Sequence, residues 1–303
     1  MFTTRNHSAI AAGLFCALVF WGANNTGVKY LVQEWPPVWI ACSRMWCVGA
    51  IFYVLLRRTD WFGPIHPLTP ELRRSLWRRS SLSLAVYVVA FTVALKFTSA
   101  SHVALCLGTS PVWALLCEGG PRATLDSLRR YGAAALALGG LVLLFWPKLQ
   151  TSGGDWRGDL LALAASFLWT IYGRHCRDHA QTMSGAEITS ATMWRAAAWL
   201  TPAALWEVAR GGITLSWGLV GVHAYCTVFG GVISFALYNN ALRHWPVSQV
   251  FLFSSLIPAS TMLWAWLLLG EPVTQTFWLA MLLVAAGVAL GQKRSPQPTQ
   301  TSG

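Results

Sequence analysis

The chain contains one segment written twice. At an offset of 147 residues, Ala94-Leu95 matches Ala241-Leu242, Ser101 matches Ser248, Val103 matches Val250, Leu105 matches Leu252, Pro111 matches Pro258 and Gly140 matches Gly287. At 148, Trp21 matches Trp169 and Met45-Trp46 matches Met193-Trp194. A unit duplicated at about half the chain length must fold as two equivalent bodies that bury each other.

Each copy consists of apolar stretches long enough to cross a bilayer. The spans run over residues 9–29, 37–56, 78–97, 101–117, 131–147, 157–175, 187–208, 219–240, 247–269 and 275–292. Five crossings per copy is an odd number, so the second copy starts from the opposite side of the membrane and lies inverted. The expected fold is an all-α membrane protein of ten transmembrane helices, built as two inverted five-helix repeats, an architecture found in secondary transporters. Repeat 1 covers 9–147 and repeat 2 covers 157–292, flanked by a cytoplasmic tail over 1–8 and a disordered cytoplasmic tail over 293–303, which is rich in Pro, Gln, Thr and Ser.

With 55% hydrophobic and 11% charged residues, the chain is too apolar and too poor in charge for an ordinary soluble domain. Its net charge of +11 would suit nucleic acid, but the placement of that charge argues against such a partner. With a cytoplasmic N-terminus, fifteen of the twenty-two Lys and Arg fall in cytoplasmic segments, as the positive-inside rule requires. Both termini are then cytoplasmic. The first apolar stretch has no small-residue cleavage site before Trp21-Gly22-Ala23-Asn24-Asn25 and is read as a retained helix. Seven cysteines in or beside spans show no disulfide spacing. In the longest cytoplasmic loop, Thr69-Pro70-Glu71 has the form of a helix start, opening a short basic amphipathic helix whose arginines face membrane lipid headgroups.

Several strings resemble the drug/metabolite transporter superfamily, in the type with two EamA domains. They are Phe20-Trp21-Gly22-Ala23-Asn24, Ser43-Arg44-Met45-Trp46, Ala94-Leu95-Lys96-Phe97-Thr98-Ser99-Ala100-Ser101, Gly158-Asp159-Leu160-Leu161-Ala162-Leu163, Tyr238-Asn239-Asn240-Ala241-Leu242 and Leu269-Gly270-Glu271-Pro272-Val273-Thr274. The first copy departs from the pattern at Cys117-Glu118-Gly119-Gly120, where the usual Gly-Glu turn is replaced. The resemblance implies a ten-helix carrier of small metabolites, often amino acids or their derivatives, usually moved outward across a bacterial inner membrane. It implies a midplane cavity among spans 1, 3, 4, 6, 8 and 9.

The candidate substrate-binding residues follow from what hydrocarbon tolerates. An arginine within a span costs about 2.5–3.5 kcal/mol on insertion scales, so Arg44 and Arg195 must face protein or water, and either fork fits a carboxylate. The plainer alternative is that each bonds backbone carbonyls at a helix end. The amides Asn24, Asn25 and Asn239 need partners or water. Trp21, Tyr87, Trp113, Trp169, Tyr172, Tyr238, Gln249 and Ser254 offer aromatic faces and hydrogen bonds, and His102 is the titratable group nearest the membrane interior. Pro111 and Pro258 each remove a backbone donor and are expected to act as hinges. No Asp or Glu lies near the middle of any span, which favours a zwitterionic or acidic solute over a lipophilic cation.

The expected function is therefore secondary export, by alternating access, of a small polar, zwitterionic or acidic metabolite: an amino acid or an amino-acid-derived product, metallophores among them. An intramembrane enzyme acting on lipid and a multidrug exporter are the rival readings; the first lacks clustered acids and bases at one depth, the second a buried carboxylate. No cofactor is expected, because there is no Walker-type loop and His175-Cys176-Arg177-Asp178-His179 sits in a loop rather than at a built metal site. Gly287 and Gly291 in span 10 suit either packing within the chain or a homodimer through that helix.

Overall fold

The computed structural model describes residues 7–63, 65–117, 125–150, 156–245, 250, 253–254 and 256–291. Gln249, the turn after Cys117 and the tail over 293–303, each singled out in the sequence, lie outside the described residues. Ten helices follow in chain order. They are α1 (His7–Glu34), α2 (Pro37–Arg58), α3 (Pro70–Phe97), α4 (Ala100–Gly108 continued by Ser110–Cys117), α5 (Leu125–Gln150), α6 (Arg157–His179), α7 (Gly185–Gly211), α8 (Trp217–His244), α9 (Ile257–Leu269) and α10 (Gln275–Gly291). The protein is an all-α membrane protein. Segments Ser8–Glu34, Pro37–Arg58, Pro70–Phe97 and Trp217–Ala241 are each long and apolar enough to cross a bilayer. Exposed Leu267, Leu279 and Leu282 belong to the apolar outer surface such a bundle presents to lipid.

The two copies are inverted, and the contacts between α2 and α7 establish it. These are equivalent helices, one from each copy. The start of α2 meets the end of α7, where the Val38 and Trp39 amides donate to Glu207 Oε2 at 2.8 and 3.1 Å. Farther along α2, Cys42 Sγ lies 3.5 Å from the Ala197 carbonyl oxygen, and at Gly49 the carbonyl accepts from Ser190 Oγ at 3.2 Å, near the start of α7. Residue numbers rise along one helix as they fall along the other, so the equivalents run antiparallel. Gly49 allows the approach, because a Cβ there would sit 2.9 Å from the Trp194 amide nitrogen.

The same pseudo-two-fold relation governs α5 and α10. A Cβ on Gly140 would lie 2.8 Å from the Ala280 carbonyl oxygen, and one on Gly287 would lie 2.6 Å from the Ala133 carbonyl oxygen. Both pairs, Gly140 with Gly287 and Ala133 with Ala280, match at 147. Gly287 is thus engaged against α5 of its own chain, the packing alternative of the two weighed for it. Helices also cross between copies: α1 packs on α8 and α9, and α6 packs on α3 and α4.

At the end remote from the start of α1, polar links close the helix termini. Lys29 Nζ donates to the carbonyls of Leu95 and Thr98 at the C-terminus of α3, at 2.7 and 2.8 Å, where the helix dipole favours a cation. Gly270 takes a left-handed conformation (φ 67°) that ends α9 and turns Glu271 onto the N-terminus of α4. There Glu271 accepts from the amides of Ala100 (2.7 Å) and Ser101 (3.3 Å) and from Ser101 Oγ (2.6 Å). Gly158 lets α6 begin against Thr98, whose hydroxyl donates to Asp159 Oδ1 at 2.6 Å. Near the opposite end, Thr69 caps α3 by accepting from the Leu72 amide at 3.2 Å, as its sequence suggested.

The glycine seam gives a paired expectation. Gly140→Ala and Gly287→Ala should each destabilise the protein by about 1–3 kcal/mol, because each new methyl meets backbone atoms that cannot retreat. Gly139→Ala, with nothing within 4 Å of the added carbon, should instead gain up to about 1 kcal/mol of helix propensity. Thermal melting of the three variants in detergent checks the ordering.

Candidate functional site

A cavity of about 190 Å³ lies in the centre of the bundle. Its walls come from α1, α2, α3, α4, α6, α7, α8 and the start of α9, and none from α5 or α10. The expectation named spans 1, 3, 4, 6, 8 and 9; α2 and α7 join them. The lining falls into pairs related by the internal repeat: Trp21 with Trp169, Met45 with Met193, Leu84 with Gly231, Val88 with Phe235, Phe91 with Tyr238, Leu107 with Ser254 and Ser110 with Ile257. A cavity lined by both members of so many pairs lies on the pseudo-two-fold axis.

The matched tryptophans show how the walls are held. Trp21 Nε1 donates to the Gly230 carbonyl at 2.9 Å, and its ring packs 5.4 Å from Phe235 and 5.1 Å from Tyr238. Trp169 packs 4.9 Å from Tyr87 and 5.4 Å from Tyr172. Gly230 and Gly231 lie in a stretch of wider π-helical turns within α8, Val228–Ile233, of the kind that often occurs at functional sites. Neither glycine has room for a Cβ, since Asn24 presses on the first and Val48 on the second.

Two helices break beside the cavity at matched residues. Thr109 in α4 (φ −83°, ψ −2°) and Leu256 before α9 (φ −82°, ψ −13°) are related by 147, and each stands two residues ahead of its proline. Both make i→i−3 backbone bonds, Thr109 to Cys106 at 3.1 Å and Leu256 to Phe253 at 2.9 Å. The Leu107 carbonyl, which Pro111 cannot serve, accepts from Ser110 Oγ at 2.5 Å. Pro258 is buried and lies 3.2 Å from the position a Cβ on Gly108 would take.

The symmetry of the cavity is broken by charge. Arg44 Nη2 donates to Asn24 Oδ1 at 2.6 Å and to the Cys226 carbonyl at 3.2 Å. Its Nε is buried without a partner among the described residues, and its Nη1 makes no hydrogen bond to them. In the second copy the residues equivalent to Asn24 and Arg44 are Tyr172 and Thr192, and their hydroxyls lie 3.0 Å apart. One link between the first two helices of each copy is therefore made twice, once with a guanidinium and once with neutral hydroxyls. Among the described residues, no Asp or Glu lines the cavity. Asn25, beside Asn24, donates from Nδ2 to Thr261 Oγ1 at 3.1 Å.

Of the residues singled out in the sequence, Trp21, Asn24, Asn25, Arg44, Tyr87, Trp169, Tyr238 and Ser254 line this cavity together. The others lie elsewhere. Tyr172 is buried behind Trp169. His102 faces Asp159, with Nδ1 3.3 Å from Oδ1, at the start of α4. Trp113 packs edge-on to Phe167 outside the lining, at 5.9 Å. Asn239 lies against Gly185 at the start of α7. Arg195 is buried between tryptophans, its guanidinium carbon 4.2 Å from the Trp194 ring and 5.6 Å from that of Trp77, and Nη1 donates to the Ala191 carbonyl at 2.8 Å. His179, from the histidine pair, lies 2.8 Å from Ser80 Oγ through Nε2. Sequence reasoning missed Met45, Phe91, Met193, Gly230 and Phe235. The offset itself could have found Phe91 as the counterpart of Tyr238.

The EamA-like transporter family matches residues 8–146 and 156–291, one domain on each copy. The chain belongs to that family. Among its relatives, the uncharacterized transporter YyaM of Bacillus subtilis is 24% identical, covering 92% of each chain. The uncharacterized inner membrane transporter YedA of Escherichia coli K12 is 26% identical, covering 91% of this chain and 88% of the relative. A solved crystal structure shares the fold at a TM-score of 0.63 with 17% identity, covering 93% of this chain and 96% of that one. This EamA-family protein is thus a membrane transporter, and its family and relatives point away from an enzyme.

Because Asn24 is the side chain bonded to Arg44 among the described residues, removing it leaves a poorly solvated charge. Asn24→Ala should cost about 1–3 kcal/mol, more than the ~1 kcal/mol expected when Tyr172→Phe deletes the neutral counterpart. Adding Arg44→Met to Asn24→Ala should recover most of the loss, since an apolar replacement removes the charge that lacked a partner. Melting temperatures of the two single variants and the double variant measure the difference.

Proposed function

We propose that this transporter is a secondary exporter that carries a small zwitterionic or acidic metabolite outward across a bacterial inner membrane by alternating access. The reading rests on one observation: among the described residues, the central cavity on the pseudo-two-fold axis is lined by one guanidinium with unused donors and by no carboxylate. Such a fork holds a carboxylate through charge-assisted hydrogen bonds, which strengthen in a site of low dielectric. The cavity volume lies below the 300–1,000 Å³ typical of drug-sized sites, which suits a small metabolite better than a multidrug cargo.

Inverted halves around a shared site supply the means of transport, since two arrangements related by the pseudo-symmetry expose the same cavity to opposite sides. The breaks at Thr109 and Leu256 are matched and adjoin the cavity, so each is suited to flex as a half rocks. The links made by Lys29, Glu207 and Glu271 join helix ends away from the cavity and would have to part when that end opens. Both termini are placed in the cytoplasm by the distribution of Lys and Arg.

The test is solute flux in proteoliposomes that contain the purified protein. A panel of amino acids, 2-oxo acids and simple carboxylates should include a solute with saturable, protein-dependent flux. Arg44→Ala should lower that flux about 10- to 100-fold, as expected when a hydrogen bond to a charged group of ~1.5–3 kcal/mol is lost. Arg44→Lys should retain only part of it, because an ammonium keeps the charge but not the fork. Saturable flux unchanged by Arg44→Ala would remove the reading.

The matched breaks carry their own expectation. Pro111→Ala and Pro258→Ala restore a backbone donor and straighten α4 and the start of α9, so each should slow flux several-fold while leaving the binding constant near that of the wild type. Flux and equilibrium binding measured on the same preparation separate the two effects.

A further inference from the structure

The cavity's charge inventory narrows the cargo further than an acidic or zwitterionic metabolite. This step rests on the proposed function. An α-amino acid brings a carboxylate and an ammonium into the membrane interior, and each needs an opposite charge or several oriented dipoles. Among the described residues, the cavity supplies an opposite charge to the first only. All eleven Asp and Glu of the chain are known from the sequence: Glu34, Asp60, Glu71, Glu118, Asp126, Asp155, Asp159, Asp178, Glu187, Glu207 and Glu271. None of those among the described residues lines the cavity. Four of them are engaged elsewhere: Asp159 holds Thr98 and His102, Glu207 caps α2, Glu271 caps α4, and Glu187 caps its own helix and takes the His66 amide at 2.6 Å.

The oxygens that line the cavity among the described residues are neutral, so none offers an ammonium an opposite charge, and several are already engaged. Asn24 Oδ1 is taken by Arg44, and the Gly230 carbonyl is taken by Trp21. The Ser110 hydroxyl is directed at the Leu107 carbonyl, and that of Ser254 at the Val250 carbonyl (3.1 Å). What remains of the wall is aliphatic and aromatic, the rings being those of Trp21, Tyr87, Phe91, Trp169, Phe235 and Tyr238. A cargo with one carboxylate and a flat apolar body neutralises Arg44 and packs its remaining surface on these rings.

We infer that the cavity takes a monocarboxylate with an aromatic or bulky apolar body and no ammonium group, such as an aryl-substituted propanoate or 2-oxo acid, in preference to the corresponding amino acid. Three compounds on one carbon skeleton test this directly: 3-phenylpropanoate with the carboxylate alone, phenylalanine with both charges, and phenethylamine with the ammonium alone. Binding is read from the melting temperature of the full-length protein in detergent, and flux from proteoliposomes with protein-free vesicles subtracted.

The expected order is 3-phenylpropanoate at least about 10-fold tighter than phenylalanine, with phenethylamine not bound, and with the 3-phenylpropanoate signal lost in Arg44→Ala. Ser254→Asp, which adds an acid to the cavity wall, should move the preference at least 10-fold towards phenylalanine. If Arg44→Ala or Ser254→Asp proves unfolded, the wild-type order of the three compounds still decides. Phenylalanine bound as tightly as 3-phenylpropanoate, or more tightly, would overturn this inference and leave the proposed function standing. Phenethylamine bound best, or none of the three bound by the wild type, would overturn the inference as well, and the first of those outcomes would also remove the proposed function.

Discussion

The antiparallel seam between α2 and α7 is the contact on which the rest of the architecture depends. Each helix is the other's counterpart, so once they pack head to tail around Gly49, Ser190 and Trp194, the two copies can only be inverted. Every other helix then meets a partner from the opposite copy in mirrored fashion, α1 on α8 and α9, α6 on α3 and α4, and α5 on α10. Close approach is what makes this stable in lipid. Association of membrane helices draws on van der Waals packing rather than on the hydrophobic effect, and glycines let backbones come near enough for that packing to count.

The sequence departs from exact symmetry at the link between the first two helices of each copy, where Asn24 and Arg44 correspond to Tyr172 and Thr192. Had both copies carried the neutral hydroxyl link, this position would add no charge to the cavity. Both versions satisfy the geometry, since each places two polar side chains within hydrogen-bond distance across α1–α2 or α6–α7. Only one adds a charge. That single difference turns an aromatic chamber into one with a fixed cation, and it does so without disturbing the packing that the pseudo-symmetry requires. The structural role of the link and its chemical role are separable for this reason: hydroxyls suffice for the first.

Much of the fold was legible in the sequence because membrane helices are constrained in length and polarity, and because the repeat could be read by offset. Helix ends were less legible. α5 runs over Leu125–Gln150 where hydropathy marked only 131–147, since a helix continues past the apolar layer as long as its own backbone bonds allow. At the site, residue chemistry alone could not distinguish Arg44 from Arg195, as both lie within spans of equivalent helices. The offset distinguishes them. Arg195 corresponds to Cys47, an exposed position on α2, whereas Arg44 corresponds to Thr192, which is buried. Gly230 and the wider turns around it carried no signal that separates them from ordinary packing glycines, because a π-helical stretch depends on the neighbours that press on it.

The polar links at the helix ends bear on how such a bundle can move. A carboxylate bonded to the amides of a helix N-terminus is well satisfied, yet those amides are equally well satisfied by water once the end is exposed. Glu207 on α2 and Glu271 on α4 therefore close one end at small net gain, and parting them exposes no group that water cannot serve. Arg44 is different. Deep in the bundle it has fewer alternatives, and it keeps Asn24 and the Cys226 carbonyl as fixed partners. Contacts that exchange freely with water lie at the ends, and the contact that does not lies at the centre. That distribution suits the proposed carrier, whose ends would open in turn while Arg44 stays in place.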